Sequence, residues 1–326
     1  MYVCGIEIYH EHRLPTMKKP FLKTLLPAIA LCASFWLTSC GDAEDVLPAS
    51  EYQEIPVVEA EKPADELMGR KTNTNTGTRI IEFSGYRWIV RNSTTYTGPG
   101  LNVFSNSVNN VWVDGLGQLH LKLTYTNGKW QSAEVLSEQN FGYGEYVFYT
   151  ATKADQLDKN VVYGLFTWDD NTFKSDANSE IDVEFAKWGY ATAPSLQYSV
   201  QPTNGGIYPE RDINPSGFLL TGDYSTHGFT WSPTDVIFKS YYDHGWPTAW
   251  LAGEWSFLST VTARQKIQGS MTSDPVIIPR PGTTTKVHIN LWLNDSNFDG
   301  YGDAPSNGQT AEVIVKKFTF KARTAI

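Results

Sequence analysis

The chain has only three cysteines, Cys4, Cys32 and Cys40, and everything after Cys40 is free of thiol. That excludes a cysteine nucleophile, a disulfide framework and a cysteine-rich zinc site from the body of the protein. Positive charge is scarce as well. Against 35 Asp and Glu stand 26 Lys and Arg, a net charge of −9, and no basic cluster occurs in the body. Phosphate backbones are gripped by Lys/Arg stripes, so nucleic acid is not an expected partner. Beyond the N-terminal region there is no long apolar run, no helix-period stretch of useful length and no internal repeat. No Ser-His-Asp motif or glycine-rich phosphate loop stands out, and Gly98-Pro99-Gly100 reads as a turn.

The N-terminal region is different. Met17-Lys18-Lys19-Pro20-Phe21-Leu22-Lys23 is basic, and a mostly apolar run follows from Thr24 to Trp36. The run is too short for a stable membrane span and gives way at once to small and acidic residues, as in a secretory signal. Met17 reads as the start of translation and residues 1–16 as an upstream extension. Leu37-Thr38-Ser39-Cys40 resembles the bacterial lipobox, whose cysteine is diacylated and becomes the mature N-terminus. The alternative is a plain secretory signal with an incidental cysteine. Gly41-Asp42-Ala43-Glu44-Asp45 resembles the export tag of surface-exposed lipoproteins, although a solvated linker has the same composition. The expected organisation is a signal region over 1–39, lipidation at Cys40, and a flexible acidic tether over 41–77. A single domain over 78–326 follows, held at the outer membrane through Cys40, facing the cell exterior and working as a monomer.

The body is rich in strand and turn formers, with 17 Tyr, 16 Phe, 11 Trp and 26 Gly. Gln118 to Tyr125 alternates, placing Leu119, Leu121, Leu123 and Tyr125 on one face, and Asn127-Gly128 supplies a tight turn. Gly144 to Tyr149, Leu196 to Gln201 and Ala311 to Val315 are further strand candidates. Short strands in one continuous style over about 250 residues predict one all-β sandwich.

The most informative segment is Ser179-Glu180-Ile181-Asp182-Val183-Glu184-Phe185. Strand period puts Glu180, Asp182 and Glu184 on one face and Ile181, Val183 and Phe185 on the other. The apolar face must meet the core, so the three acids look outward together. Like charges along one strand repel, which requires solvent, a cation or a function to compensate. A solvated acidic face is the bland reading. Neighbouring carboxylates that share a proton are also what acid/base chemistry needs. Aromatics at Phe166, Trp168 and Trp188, on which a sugar ring could stack, bracket the motif.

Glu180-Ile-Asp182-Val-Glu184 resembles the E-x-D-x-E signature of glycoside hydrolase family 16. Phe141-Gly-Tyr-Gly-Glu-Tyr-Val-Phe148, Phe229-Thr-Trp231-Ser-Pro233 with Val236-Ile-Phe238, and Asn290-Leu-Trp292 resemble three further segments of that family, in its order. The resemblance implies a concanavalin A-like β-jelly roll of two antiparallel sheets, with Glu180 on the concave one. It also implies retaining hydrolysis of a polysaccharide, a β-glucan or a galactan, with Glu180 as nucleophile, Glu184 as general acid/base and Asp182 orienting Glu180. In that scheme Glu180 is ionised and Glu184 protonated at working pH. Residues four apart on a flat strand lie about 13 Å apart, whereas a retaining pair needs carboxyls ~5–5.5 Å apart, so curvature and lean must close the gap. The family's segments also differ here: Gly164-Leu-Phe166-Thr-Trp168 lacks a proline, Ser225 stands where a histidine is usual, and Phe148 stands for an arginine. These differences bear on subsites rather than on the acids.

Trp168, Trp188 and Trp292 are candidate stacking platforms, with Asn290 on the face of Trp292. His227 is a candidate substrate contact, although a satisfied structural histidine is the commoner role. Asp295-Ser-Asn297-Phe-Asp299-Gly300 opens like a calcium loop, but Ser306 occupies the closing glutamate's place, so a plain turn is the favoured reading. No cofactor is expected, and the family sometimes carries a structural calcium. The competing function is a lectin-like lipoprotein that binds carbohydrate without turning it over; a transglycosylase would differ only in the acceptor.

Overall fold

The computed structural model describes residues 78–323, apart from 202–206, 209–211, 216, 260–261, 268–269 and 276–277. The expected signal region, Cys40 and the tether lie outside the described residues.

The chain opens with a hairpin, β1 (Arg79–Phe83) and β2 (Tyr86–Val90), turned at Ser84-Gly85 with both residues at positive φ. Next come β3 (Val111–Val113), β4 (Leu119–Lys122) and a small hairpin of β5 (Thr124–Thr126) and β6 (Lys129–Gln131). That hairpin turns at Asn127-Gly128, both left-handed, as the dipeptide predicted. Then follow β7 (Ala133–Ser137), β8 (Gly144–Ala151) and β9 (Val161–Trp168). Short helical turns over 170–179 lead into β10 (Ile181–Phe185) and β11 (Leu196–Val200). After β12 (Ile207–Tyr208) and β13 (Asp212–Ile213) come the long strands β14 (Tyr224–Trp231), β15 (Asp235–Tyr242) and β16 (Leu251–Leu258). A hairpin of β17 (Thr262–Ile267) and β18 (Ser270–Pro275) precedes β19 (Lys286–Leu293) and β20 (Glu312–Ala322).

Two large antiparallel sheets result. One has the order β1-β2-β7-β19-β9-β10-β11-β13, the other β16-β15-β14-β8-β20-β4-β3. The chain passes repeatedly between them: β8, β14 and β20 belong to the second sheet, their neighbours in sequence β7, β9, β11 and β19 to the first. The late strand β19 therefore sits between β7 and β9, and residues some 120 to 160 positions apart become neighbours. The expected all-β sandwich of two antiparallel sheets is what forms.

The inner faces meet in one apolar core. β10 gives it Ile181, Val183 and Phe185, β9 gives Tyr163 and Leu165, and β19 gives Val287, Ile289 and Leu291. Tyr146, Phe148, Phe229, Trp231, Phe238 and Phe318 come from the opposite sheet. Aromatic pairs join the sheets, among them Tyr198 stacked on Phe238 with centroids 5.0 Å apart. Each such side chain contributes about 1.5–3 kcal/mol through burial. One strand expectation needs correction. Leu119, Leu121 and Leu123 are fully buried, but Tyr125 is 60% exposed. The alternation breaks after β4, and Tyr125 rides on the two-stranded hairpin against Trp130 instead.

Candidate active site

With Ile181, Val183 and Phe185 committed to the core, Asp182 and Glu184 must leave the outer face of the eight-stranded sheet, and Glu180 precedes them at the mouth of β10. Register extends this face sideways. One row of paired residues runs Glu134, Asn290, Gly164, Glu184, Gln197 across β7, β19, β9, β10 and β11. The next runs Leu136, His288, Phe166, Asp182, Ser199. Over these rows lies a cavity of about 660 Å³. All three acids line it, and it extends from β10 toward β7, where the turn at Gly98-Pro99 forms the far wall.

The segment before Glu180 is built with strain. Ala177, Asn178 and Ser179 all have left-handed φ, 46°, 62° and 53°. Such conformations cost non-glycine residues on the order of 1–3 kcal/mol each unless the surroundings hold them. Here the surroundings do. Ser179 Oγ donates to the Arg280 carbonyl at 2.6 Å, Thr167 Oγ1 to the Ser179 carbonyl at 2.8 Å, and Asn178 Nδ2 to the Asp169 carbonyl at 3.2 Å. Arg280 is itself locked on Asp176, 3.0 Å away. The turn thus delivers Glu180 onto the sheet in one orientation, with its carbonyl receiving the Gln201 amide.

Asp182 is 4% exposed and accepts a hydrogen bond from Gln201, whose Nε2 donates at 3.3 Å. Among the described residues no cation pairs with any of the three acids. Burial drives their proton affinities up. Glu180 is pushed to about 8, first by burial and then by the charge of Glu184. Glu184 is pushed to about 7 by burial. Asp182 is raised well above the carboxylate range by burial, then by Glu180 and Glu184. The bland alternative, a solvated acidic face, does not describe groups so enclosed. Glu180 and Glu184 are coupled, so the charge of either raises the proton affinity of the other and the pair titrates together.

The other acids on the cavity wall are satisfied. Asp169 accepts from Asn171 N, Thr284 N and Oγ1, and Thr285 Oγ1, and these bonds hold its pKa below the usual range against its burial. Asp170 accepts from the Trp168 indole at 2.8 Å. Glu134, 2% exposed, lies between Arg91 (2.6 Å) and His288 (2.8 Å).

Of the remaining candidates, Trp168, Asn290 and Trp292 line the cavity. Asn290 is 2% exposed and its Oδ1 has no hydrogen-bond partner, an orphan acceptor on the cavity wall. Gly164 is what admits it, since a Cβ there would lie 2.6 Å from that Oδ1. Trp188 is not on the cavity wall. It sits behind, 6.2 Å from Trp292, with its indole donating to Gln197 at 2.8 Å. His227 is not at the site either. It is fully buried on β14, edge-on to Phe185, bonded to Ser240 at 2.7 Å and Ser225 at 2.8 Å, and burial pushes its pKa down to about 3. Its expected substrate contact gives way to the structural role, and Ser225 is the partner that satisfies it. In the 295–303 turn, Asp295 accepts from the Asp299 and Gly300 amides and Asp303 from those of Ser296 and Asn297. Among the described residues no group of three or more His, Cys, Asp or Glu is arranged to hold a metal ion.

Sequence reading missed Arg91, Glu134 and His288. Their partnership spans 43 and 154 residues and has no local signature. His288 was within reach, because the strand period that joined Asn290 to Trp292 also places residue 288 on that face.

Neither a family model nor a curated protein matches the chain. Solved structures that it resembles include glucanases. A β-glucanase of Bacillus licheniformis is 22% identical, covering 77% of this chain and 100% of its own, with a TM-score of 0.48. A β-1,3-1,4-glucanase (lichenase) from a mouse hindgut metagenome is 18% identical over 72% and 93% of the two chains, TM-score 0.46. A pseudo β-1,3-glucanase of Mycobacterium tuberculosis is 19% identical over 73% and 91%, TM-score 0.48.

Proposed function

We propose that the protein is a glycoside hydrolase that cleaves within a polysaccharide, a β-glucan or a galactan, by double displacement on Glu180 and Glu184. The observation that carries this reading is the set of three enclosed acids along β10 and the residue before it, with no cation paired to them among the described residues, in a cavity edged by Trp168 and Trp292. Burying unpaired carboxylates is expensive for a fold, and acid/base catalysis is what such a set is suited to do.

Glu184 gives its proton to the glycosidic oxygen as the bond to the leaving sugar breaks, and Glu180 attacks the anomeric carbon to form a glycosyl-enzyme ester. Glu184, now ionised, takes a proton from water, whose oxygen displaces Glu180 and restores the starting state. In this cycle Asp182, whose proton burial retains, has the role of donating a hydrogen bond to Glu180 and spreading the charge that Glu180 carries before attack and regains on release. For that cycle Asp182 and Glu184 must each hold a proton, and Glu180 must be ionised, when substrate is bound.

The test is a reducing-end assay of the full chain over mixed-linkage β-glucan, β-1,3-glucan and β-1,4-galactan. New reducing ends from one of them, with product of retained configuration, are expected. Tight binding to one glycan with no new ends would instead favour the lectin-like reading.

A further inference from the structure

The Arg91–Glu134–His288 chain takes no part in the bond-breaking steps above, yet all three residues line the cavity. Glu134 is an acid on a buried stretch of β7, and a lone charge there would be costly. It is paired twice: Arg91 Nη1 donates to its Oε2 at 2.6 Å, and His288 Nδ1 lies 2.8 Å from its Oε1. Burial acts to raise its pKa, but the bonds and charges of His288 and Arg91 prevail and hold it below the usual range. An ionised carboxylate only accepts, so the hydrogen between Oε1 and Nδ1 belongs to the ring. In the neutral imidazole, Nε2 is then an acceptor. Among the described residues Nε2 has no hydrogen bond to the protein. The ring packs on Phe166, 5.0 Å away, and two strand spacings, ~10 Å, separate its row position from that of Asp182.

Both cations on the cavity wall are occupied. Arg91 also donates to the Gly98 carbonyl at 2.7 Å and lies 4.0 Å from the centre of the Phe104 ring. Lys286 Nζ donates to the carbonyls of Ser137 and Glu138, at 3.0 and 2.8 Å. Arg91 is neutralised by Glu134 and Lys286 is drawn onto two carbonyls, so neither is set to grip a carboxylate or sulfate on a ligand.

We propose that His288 reads the substrate: its Nε2 hydrogen-bonds to a hydroxyl of an uncharged sugar unit lying over β19 and β7. Glu134 and Arg91 are positioning residues that fix the ring and its tautomer from behind. Arg91, through Gly98, also fixes the turn that walls the cavity, so the ring and the wall are set by one guanidinium. This rests on the glycosidase reading, of which it specifies the substrate class as a neutral glycan.

The experiment uses the full chain carrying Glu180→Gln, so that binding is measured without turnover. Titration calorimetry is run with short oligosaccharides of mixed-linkage β-glucan, β-1,3-glucan and β-1,4-galactan, and with oligogalacturonate as the anionic probe. At least one neutral oligosaccharide should bind, and oligogalacturonate should bind more weakly. Adding His288→Phe should weaken the neutral ligand about tenfold, as expected for one lost hydrogen bond in an enclosed site. His288→Gln, which keeps an acceptor, should recover part of that loss. Glu134→Gln should weaken binding less than His288→Phe, and thermal unfolding identifies any variant whose loss is one of folding. In the active enzyme, His288→Phe should act mainly on KM. Unchanged affinity in His288→Phe, or tighter binding of oligogalacturonate than of every neutral ligand, would overturn the proposal while leaving the acids' role intact. Failure of Glu180→Gln to bind any oligosaccharide would remove both.

Discussion

Glu180, Asp182 and Glu184 are held at a cost that pH should expose. Each has a pKa in the fold above its unfolded value, so the folded state holds more protons than the unfolded chain between about pH 4.5 and 8. Stability from these groups is therefore present below their unfolded values and is lost as pH rises through 7 to 8. Glu180→Gln removes one of the raised carboxyls. The variant should gain on wild type as pH goes from 5 to 8.5, by on the order of 2 kcal/mol after allowing for water in the cavity, or roughly 4–8 °C in Tm. Thermal scans at the two pH values check this; a constant difference would mean that Glu180 is not held uncharged by its surroundings. That the three acids share a face was legible from strand period alone. Their enclosure was not, because it depends on β7, β9 and β19, which only the folded sheet brings alongside β10.

At the scale of elements, the strands were readable where alternation is clean, as in β4, β8 and β11. Reading failed where an element ends for reasons outside itself. Tyr125 continues the alternation of β4 but belongs to the β5–β6 hairpin, since Asn127-Gly128 folds the chain back before the face can continue. His227 shows the same limit on β14. Alternation puts a histidine somewhere on a strand, but only packing tells whether that face meets a cavity or, as here, Phe185 and Phe218. Because burial, reinforced by His244, keeps His227 neutral to about pH 3 while an unfolded histidine protonates near 6.5, its contribution is present above that value and is lost as pH falls below it. His227→Phe should be less stable than wild type at pH 7 by about 2 kcal/mol, having lost the ring's hydrogen bonds to Ser225 and Ser240. The gap should shrink as pH falls to 4, measured by urea unfolding. A gap that widens on acidification would contradict a buried neutral ring.

At the scale of the whole molecule, the two-sheet sandwich was legible from composition and turn signals, whereas the crossing of the chain between sheets was not. Strand pairing at separations such as 288 with 136 is fixed by which apolar faces can close a common core, and no short window of sequence records it. The N-terminal region poses a separate question. Cys40 would be the only thiol of a chain cleaved before it, and no described helix is long and apolar enough to cross a membrane. We propose that a lipid on Cys40 is the membrane attachment. Cys40→Ala should move the protein from the membrane to the soluble fraction of cells, and a variant that stays with the outer membrane would refute the lipid anchor.

The central claim is the division of labour between Glu180 and Glu184, and azide rescue tests it most directly. Glu180→Ala, given an aryl glycoside of the preferred sugar and sodium azide, should lose hydrolysis of the polysaccharide yet form a glycosyl azide of inverted configuration, because the small anion takes the nucleophile's place. Glu184→Ala should instead form the azide with retained configuration, since Glu180 still makes the ester and only the proton donor is missing. Near-wild-type hydrolysis by Glu180→Ala, or a retained azide product from it, would contradict the account.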